Sequence, residues 1–312
     1  MTGIAPFEVA PAGPRLAAAL ARRTFPRYRP VLARAGSDPR VISLALMEGR
    51  SAAGLLLGEM VGGDALLLSV SVATGRRRRG GGAALLSAFE GDARLRGARR
   101  LEASWTAPRG EVPPVERLLA RAGWSAPAHC GRVYALDAER SLTAPWFTRA
   151  QRRLKRWRVQ PWTELGDDAA LRLIGPASWA RADLHPREHV GRGVDGALQL
   201  REASAVLRDG HAEDAPAVGW IMVHAASDAE GRVSSGLVRP DLERSFAYGA
   251  LVAYANRAII ASGRARGSFL VRAEEPRMEA FAERWLTPLA AEIRDSRAAE
   301  KPLVPAPSLA VH

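Results

Sequence analysis

The chain has a single cysteine, Cys130, among 312 residues. That excludes an intrachain disulfide and any multi-cysteine metal site, and it fits a reducing compartment such as the cytoplasm. Lysine is almost absent as well, because only Lys155 and Lys301 of the 45 basic residues are not arginine. Arginine usage this lopsided points to a GC-rich coding sequence and accounts for part of the positive excess. Long apolar runs are missing: Ala65 to Val72 has the length of a strand, well short of the roughly 18 residues a membrane helix needs. Arg15 interrupts the apolar N-terminus and no charged region precedes it, so neither a signal peptide nor a membrane span is expected.

What is present is ordinary globular material, with 47% apolar and 25% charged residues. The length suits two domains of roughly 150 residues, each able to bury its own core. A formal charge of +12 and a pI near 11.1 call for a polyanionic partner, which composition leaves open among nucleic acid, a phosphorylated cofactor and an acidic surface.

Apolar periodicity divides the chain into alternating elements. Arg15 to Arg34 reads as largely helical, limited by Pro26 and Pro30. Strands at Val41 to Met47, Ala52 to Met60 and Ala65 to Val72 form a meander, followed by a helix over Gly80 to Arg96 and a strand over Arg100 to Trp105. A short helix, Pro113 to Ala122, is capped by Gly123, and a strand covers Arg132 to Leu136. The second half repeats this order, with a helix at Asp167 to Ile174, strands at Ser204 to Arg208, Ala217 to Ala225 and Val233 to Val238, the helix Phe246 to Ser262, the strand Ser268 to Ala273 and the helix Arg277 to Trp285. The expected architecture is α/β, in two tandem mixed-sheet domains that are mostly antiparallel and flanked by helices. The boundaries follow from composition: residues 1–140, a basic linker at 141–165, a second domain at 166–298, and a disordered tail at 299–312.

The chemistry concentrates in LLLSVSVATGRRRRGGGAALL, residues 66–86, where a strand, an Arg- and Gly-rich turn and a helix follow one another. A helix N-terminus offers unpaired N–H groups and about half a positive charge, which attract phosphate. Gly80, Gly81 and Gly82 remove the β-carbons that would hold a diphosphate away from those amides. Arg76, Arg77, Arg78 and Arg79 add full charges in the forked geometry that phosphate oxygens accept.

This segment resembles motif A of the GNAT acyltransferase superfamily: a Gln or Arg, two residues, a Gly, one residue, then Gly or Ala, met here by Arg77, Gly80 and Gly82. The family's closing motif resembles VERLLARAGW, with Gly123 and Trp124 in place. The resemblance covers about residues 1 to 137. It implies that acetyl-CoA or another acyl-CoA is held through its pyrophosphate by Arg77, Arg78, Arg79, Gly80, Gly81, Gly82 and Ala83, that Ser71 and Val72 face the pantetheine arm, and that no metal takes part. The acyl group would pass by direct attack to an amine of a small molecule or a peptide. Glu59 is the candidate base and Ser104 a second candidate catalytic group, with Glu102, Ser69 and Ser71 also near the expected gap. Two positions depart from the family pattern: Leu119 replaces a common proton-donating tyrosine and Val112 a common asparagine.

In the second half, aligning Leu251 with Leu85 puts Phe246 and Tyr248 where Gly80 and Gly82 stand, so that half looks like the same fold without the cofactor turn. His224, Trp220 and Tyr248 either line an acceptor site or pack in a core. Arg149 to Arg158 carries six basic residues, with Trp146, Phe147, Trp157 and Trp162 within or beside it. That footprint is compatible with RNA. It keeps open a tRNA-dependent transferase of the Fem type, or a catalytically dead CoA- or nucleic-acid-binding protein. The sequence leaves the oligomeric state and the acceptor unread.

Overall fold

The computed structural model describes residues 7–145, 147–148, 156–175, 178–179, 182–191, 197–243 and 245–303. The chain divides into two compact units, the first made of residues up to Cys130 plus those from Asp295 onward, the second of Gly131–Arg294.

In the first unit the sheet runs β1 (Glu8–Pro11), β2 (Val41–Glu48), β3 (Ser51–Val61), β4 (Asp64–Val72), β5 (Arg100–Pro108) and then β12 (Ala290–Pro302), of which the residues from Asp295 belong here. The strands β1 to β4 are antiparallel and alternate their buried side chains between two faces. One face packs Ile42, Leu44, Leu46, Leu56, Ala65 and Leu67 beneath the long helix α3 (Gly81–Leu95), whose Leu85, Leu86, Phe89 and Ala93 are fully buried. Burying a ring such as that of Phe89 contributes roughly 1.5–3 kcal/mol. The other face buries Val41, Ala45, Leu55 and Leu57 against the short helices α1 (Pro14–Ala19) and α2 (Arg29–Leu32). The single helix expected over Arg15 to Arg34 is therefore two short ones with 3-10 turns between. Pro26 and Pro30 stand where the first turns begin, as proline's missing N–H and fixed φ require.

Two irregularities shape this sheet. Leu57 pairs with Ser69 and Gly58 with Leu67, which leaves Leu68 as the extra residue of a bulge. On β5 the parallel register covers only Ala65↔Leu101, Leu66↔Glu102 and Leu67↔Ala103, and beyond it the two strands part. After the bulge Val70 and Val72 stand on the α3 side, while Ser69 and Ser71 stand on the other.

The second unit is ordered β6 (Ala128–Asp137, its residues from Gly131), β11 (Arg266–Arg272), β10 (Glu230–Val238), β9 (Ala217–Ala225), β8 (Ala205–Arg208) and β7 (Arg158–Pro161). It repeats both irregularities, with a bulge at Ser234 and a parallel β10–β11 register confined to Glu230–Val233. The helix Ala247–Ala261 packs its Leu251, Ala255 and Ile259 on this sheet.

The expected boundaries need correction. Residues 299–312 were read as a tail, but those through Pro302 lie in β12, and the part of β12 from Asp295 completes the first unit. Ala299 and Leu303 are buried in its core. Lys301 donates at 2.7 Å to both Glu90 Oε2 and the Ala122 carbonyl, and Glu90 Oε1 accepts the Trp124 indole at 2.9 Å. Arg297 reaches Glu116 Oε1 at 2.5 Å and Asp295 at 3.1 Å. The linker is structured where it is described: Ala138–Leu142 and Trp162–Leu165 are helical, Arg158–Pro161 is strand, and 149–155 lie outside the described residues. Replacing Lys301 by alanine leaves the half-buried Glu90 carboxylate with the Trp124 indole but no cation, and removes a donor from the carbonyl of Ala122, the C-cap of α4 (Pro114–Arg121), so a loss of roughly 1–3 kcal/mol is expected. The urea-denaturation midpoint measures it, and an unchanged midpoint would contradict this account of β12.

Candidate active site

The residues between β4 and α3 turn through two left-handed conformations, at Arg78 (φ 64°) and Gly80 (φ 85°). At Gly80, the N-cap of α3, that conformation suits glycine, and an added β-carbon would meet nothing. No side chain caps the helix, and its first backbone bond runs from Ala84 N–H to the Gly80 carbonyl at 3.0 Å. The amides of Gly81, Gly82 and Ala83 thus have no intrahelical acceptor. A β-carbon on Gly82 would lie in ordinary contact with Leu118, 3.5 Å away. Gly81 serves a different purpose: its β-carbon would fall 2.4 Å from Leu46 Cδ2, so it lets α3 seat on β2.

The four arginines of the turn are not equivalent. Arg76 and Arg79 both pair with Glu48, Arg79 at 2.8 Å, and Arg79 lies over the Phe7 ring at 4.9 Å. Arg77 donates through Nε to the Val72 carbonyl at 3.0 Å, which leaves its terminal nitrogens for other partners, and Arg78 is exposed. Expecting four free charges is therefore corrected to two, because one carboxylate already engages the others.

Two clefts lie along β4 on the α1/α2 side. A cavity of about 560 Å³ runs beside Ser69–Thr74 and Arg77, and its far wall is Arg22–Pro26 and Arg29. Thr24 and Ser69 share a buried hydroxyl–hydroxyl hydrogen bond of 2.7 Å. A second cavity of about 380 Å³ begins at the bulge, Leu66–Leu68, and includes Tyr28, Glu102, Ser104 and Glu300. Glu102 contacts Arg100 at 2.5 Å, and Asp64 (2.9 Å) and Glu300 (3.3 Å) share the same guanidinium. Glu102 and Glu300 line the cleft and no basic residue does, which leaves that end negative; the three carboxylates hold Arg100 above its ordinary pKa, the Asp64 hydrogen bond first among the causes.

Ser71 and Val72 line the larger cleft and Ser104 the smaller one. Glu59 does not. Its carboxylate, paired with Arg34 at 2.7 Å, lies in neither lining, and it is this position away from the clefts, not the ion pair, that removes the reason for naming it as the base. Leu119 is 1% exposed within the apolar core, and Val112 is exposed. His129 and Cys130 follow one another on β6, and no group of three or more metal-ligating side chains occurs among the described residues. The sequence reading missed Arg22, Arg23, Arg29, Tyr28 and Glu300, which reach the clefts from irregular turns or from the C-terminal strand.

The second unit carries the same frame, closed. Phe246 caps its helix in the left-handed conformation (φ 64°), as Gly80 does. Tyr248 lays its ring against β10 so closely that a β-carbon on Gly236 would stand 2.7 Å from its hydroxyl, and burial pushes its pKa up to about 12, with Glu275 adding to the rise. Ser235 donates to the Leu184 carbonyl and accepts the Trp220 indole at 3.0 Å. Trp220 and His224 are fully buried, His224 Nε2 meeting the His189 carbonyl at 2.8 Å, so they are packed rather than lining a site. Phe147, Trp157 and Trp162 are buried too, which denies the basic segment the stacking faces an RNA footprint requires, while Trp146 lies outside the described residues.

No family model matches the chain, and no curated protein is similar to it in sequence. Solved structures are similar in fold. A tandem GNAT protein from the clavulanic acid biosynthesis pathway aligns over 96% of this chain and 100% of its own, with 18% identity and a TM-score of 0.64. A GCN5-related N-acetyltransferase from Sphaerobacter thermophilus aligns over 97% and 99%, with 14% identity and a TM-score of 0.58. A glucosamine N-acetyltransferase region of a fungal multi-domain β-N-acetylglucosaminidase matches 96% of this chain and 38% of its own, at 12% identity and a TM-score of 0.60. The fold is that of the GNAT acetyltransferases, in tandem.

Gly81 and Gly82 separate structure from binding. Gly81→Ala should cost roughly 1–3 kcal/mol of stability through the clash with Leu46. Gly82→Trp should leave the melting temperature nearly unchanged while weakening acetyl-CoA at least about tenfold, read by calorimetry, since an indole over the first turn shields its amides.

Proposed function

We propose that the first unit transfers an acyl group from acyl-CoA, acetyl in the simplest case, to an amine. The observation that carries this is the uncapped N-terminus of α3 opening beside strands that part after Leu67. Its amides and Arg77 suit a pyrophosphate, and the gap suits the thinner pantetheine arm. Bound acyl-CoA would supply a thioester whose carbonyl carbon forms a bond to the acceptor nitrogen as its bond to sulfur breaks, the nitrogen giving up a proton.

Residues of the chain supply the rest. Backbone N–H groups of β4 past the bulge, toward Val72, face a side that β5 no longer pairs, where they can stabilise a developing oxyanion. Glu102, at the mouth of the smaller cleft, accepts the amine's proton, and Ser104 two residues along the same strand face orients the acceptor. Buried Leu119 offers no proton to the departing thiolate, so solvent completes that step.

Glu102→Gln should lower kcat by about 10²–10⁴ at neutral pH and leave acetyl-CoA affinity unchanged. Retention of full activity by Glu102→Gln would remove Glu102 from the reaction.

A further inference from the structure

The larger cleft has an unusual charge distribution. Arg22, Arg23, Arg29 and Arg77 all line it, and no Asp or Glu does. None of the four makes an ion pair with a carboxylate among the described residues. Arg29 spends only its Nε, on the Ala21 carbonyl at 3.2 Å, and Arg77 only its Nε, on Val72. Elsewhere in the same unit the structure does supply counter-ions to arginines at comparable places: Glu48 to Arg76 and Arg79, Asp38 to Arg34 and Arg40. Around the cleft it supplies hydroxyls instead, from Thr24, Ser69, Ser71 and Thr74. Guanidinium forks and hydroxyls without acids bind carboxylate or phosphate, and their mutual repulsion is relieved when an anion enters.

Arg77 belongs to the phosphate turn, which leaves Arg22, Arg23 and Arg29 on the opposite wall. We infer that these three recognise an anionic group on the acceptor, so that the amine acylated by this protein also carries a carboxylate or a phosphate. This rests on the acyltransferase reading above and names its substrate class. The wall is pre-set: Pro26 fixes the backbone between Arg23 and Arg29, Pro30 follows Arg29 at once, and the Thr24–Ser69 hydrogen bond ties the wall to β4. The anion held on this wall and the negative cleft beginning at Leu66–Leu68 give a dipolar acceptor one favoured direction. Its ammonium end is drawn toward Glu102, where the proton is removed.

The test uses the full chain with saturating coenzyme A, which occupies the turn and prevents turnover. β-Alanine and its neutral amide, both ammonium ions at neutral pH, are titrated calorimetrically as probes. β-Alanine should bind about tenfold or more tighter, and the triple variant Arg22→Gln, Arg23→Gln, Arg29→Gln should bring the two within about threefold. Acetyl-CoA affinity should stay within about twofold of native in that variant. Equal affinities in the native chain, or no binding of either probe, would overturn the inference. So would a triple variant that loses acetyl-CoA, since its arginines would then hold the donor's phosphates. A native chain that binds no acetyl-CoA would overturn the acyltransferase reading itself, and the acceptor class with it.

Discussion

The first unit depends on a hydrogen-bond ladder that stops. β4 and β5 pair across three residues and then diverge, and the bulge at Leu68 reverses which side chains face α3. A strand interior normally leaves no N–H unpaired, because a buried orphan donor costs about 1–3 kcal/mol. Here the strand end borders a cleft, where water or a ligand satisfies it. One geometric interruption thereby parts two strands beside the turn that leads into the uncapped helix α3.

What surrounds that interruption must be rigid, and the sequence distributes the task unevenly. Gly81 and Gly58 are small because Leu46 and Phe89 need the room, not because a ligand does. Of the three glycines of the turn, Gly80 would meet nothing with a β-carbon and Gly82 only Leu118 at an ordinary distance. Three adjacent glycines thus serve two ends, seating the helix and exposing its first turn. The second unit shows the frame surviving without the second: Phe246 keeps the left-handed cap while Tyr248 fills the space between helix and strand. Packing is retained and access is lost, which is why the same fold hosts a site in one unit and a plug in the other.

Much of this was legible in the sequence, because apolar periodicity and glycine position report local requirements. The meander, the turn at Arg77 to Gly82, the helix that follows and the substitutions at Phe246 and Tyr248 are all local signals. What was illegible depends on distant partners. No strand is legible over β12, because its residues from Asp295 satisfy charges on other elements: Arg297 with Glu116, Lys301 with Glu90. Ile293 is the one large apolar side chain within AAEIRDSRAAEKP. Glu59 looked free because Arg34, which neutralises it, lies 25 positions away. The aromatics beside the basic segment looked like stacking surfaces, and burial in separate cores was the only fact that could say otherwise.

Charge is where sequence and structure differ most usefully. A net +12 spread over the chain says little, since GC-rich coding alone inflates arginine. Position gives it meaning. Arginines that fold against Glu48, Asp38 or Glu116 stabilise modestly and select nothing, because each is already matched. Those facing the larger cleft are unmatched, while the smaller cleft beside it is lined by Glu102 and Glu300 and by no basic residue. Opposite fields in neighbouring cavities on one strand discriminate by orientation, since an acceptor entering backwards would set like charges together at both ends. The selectivity of such a site comes as much from the repelled orientation as from the attracted one, and it needs no close-fitting pocket.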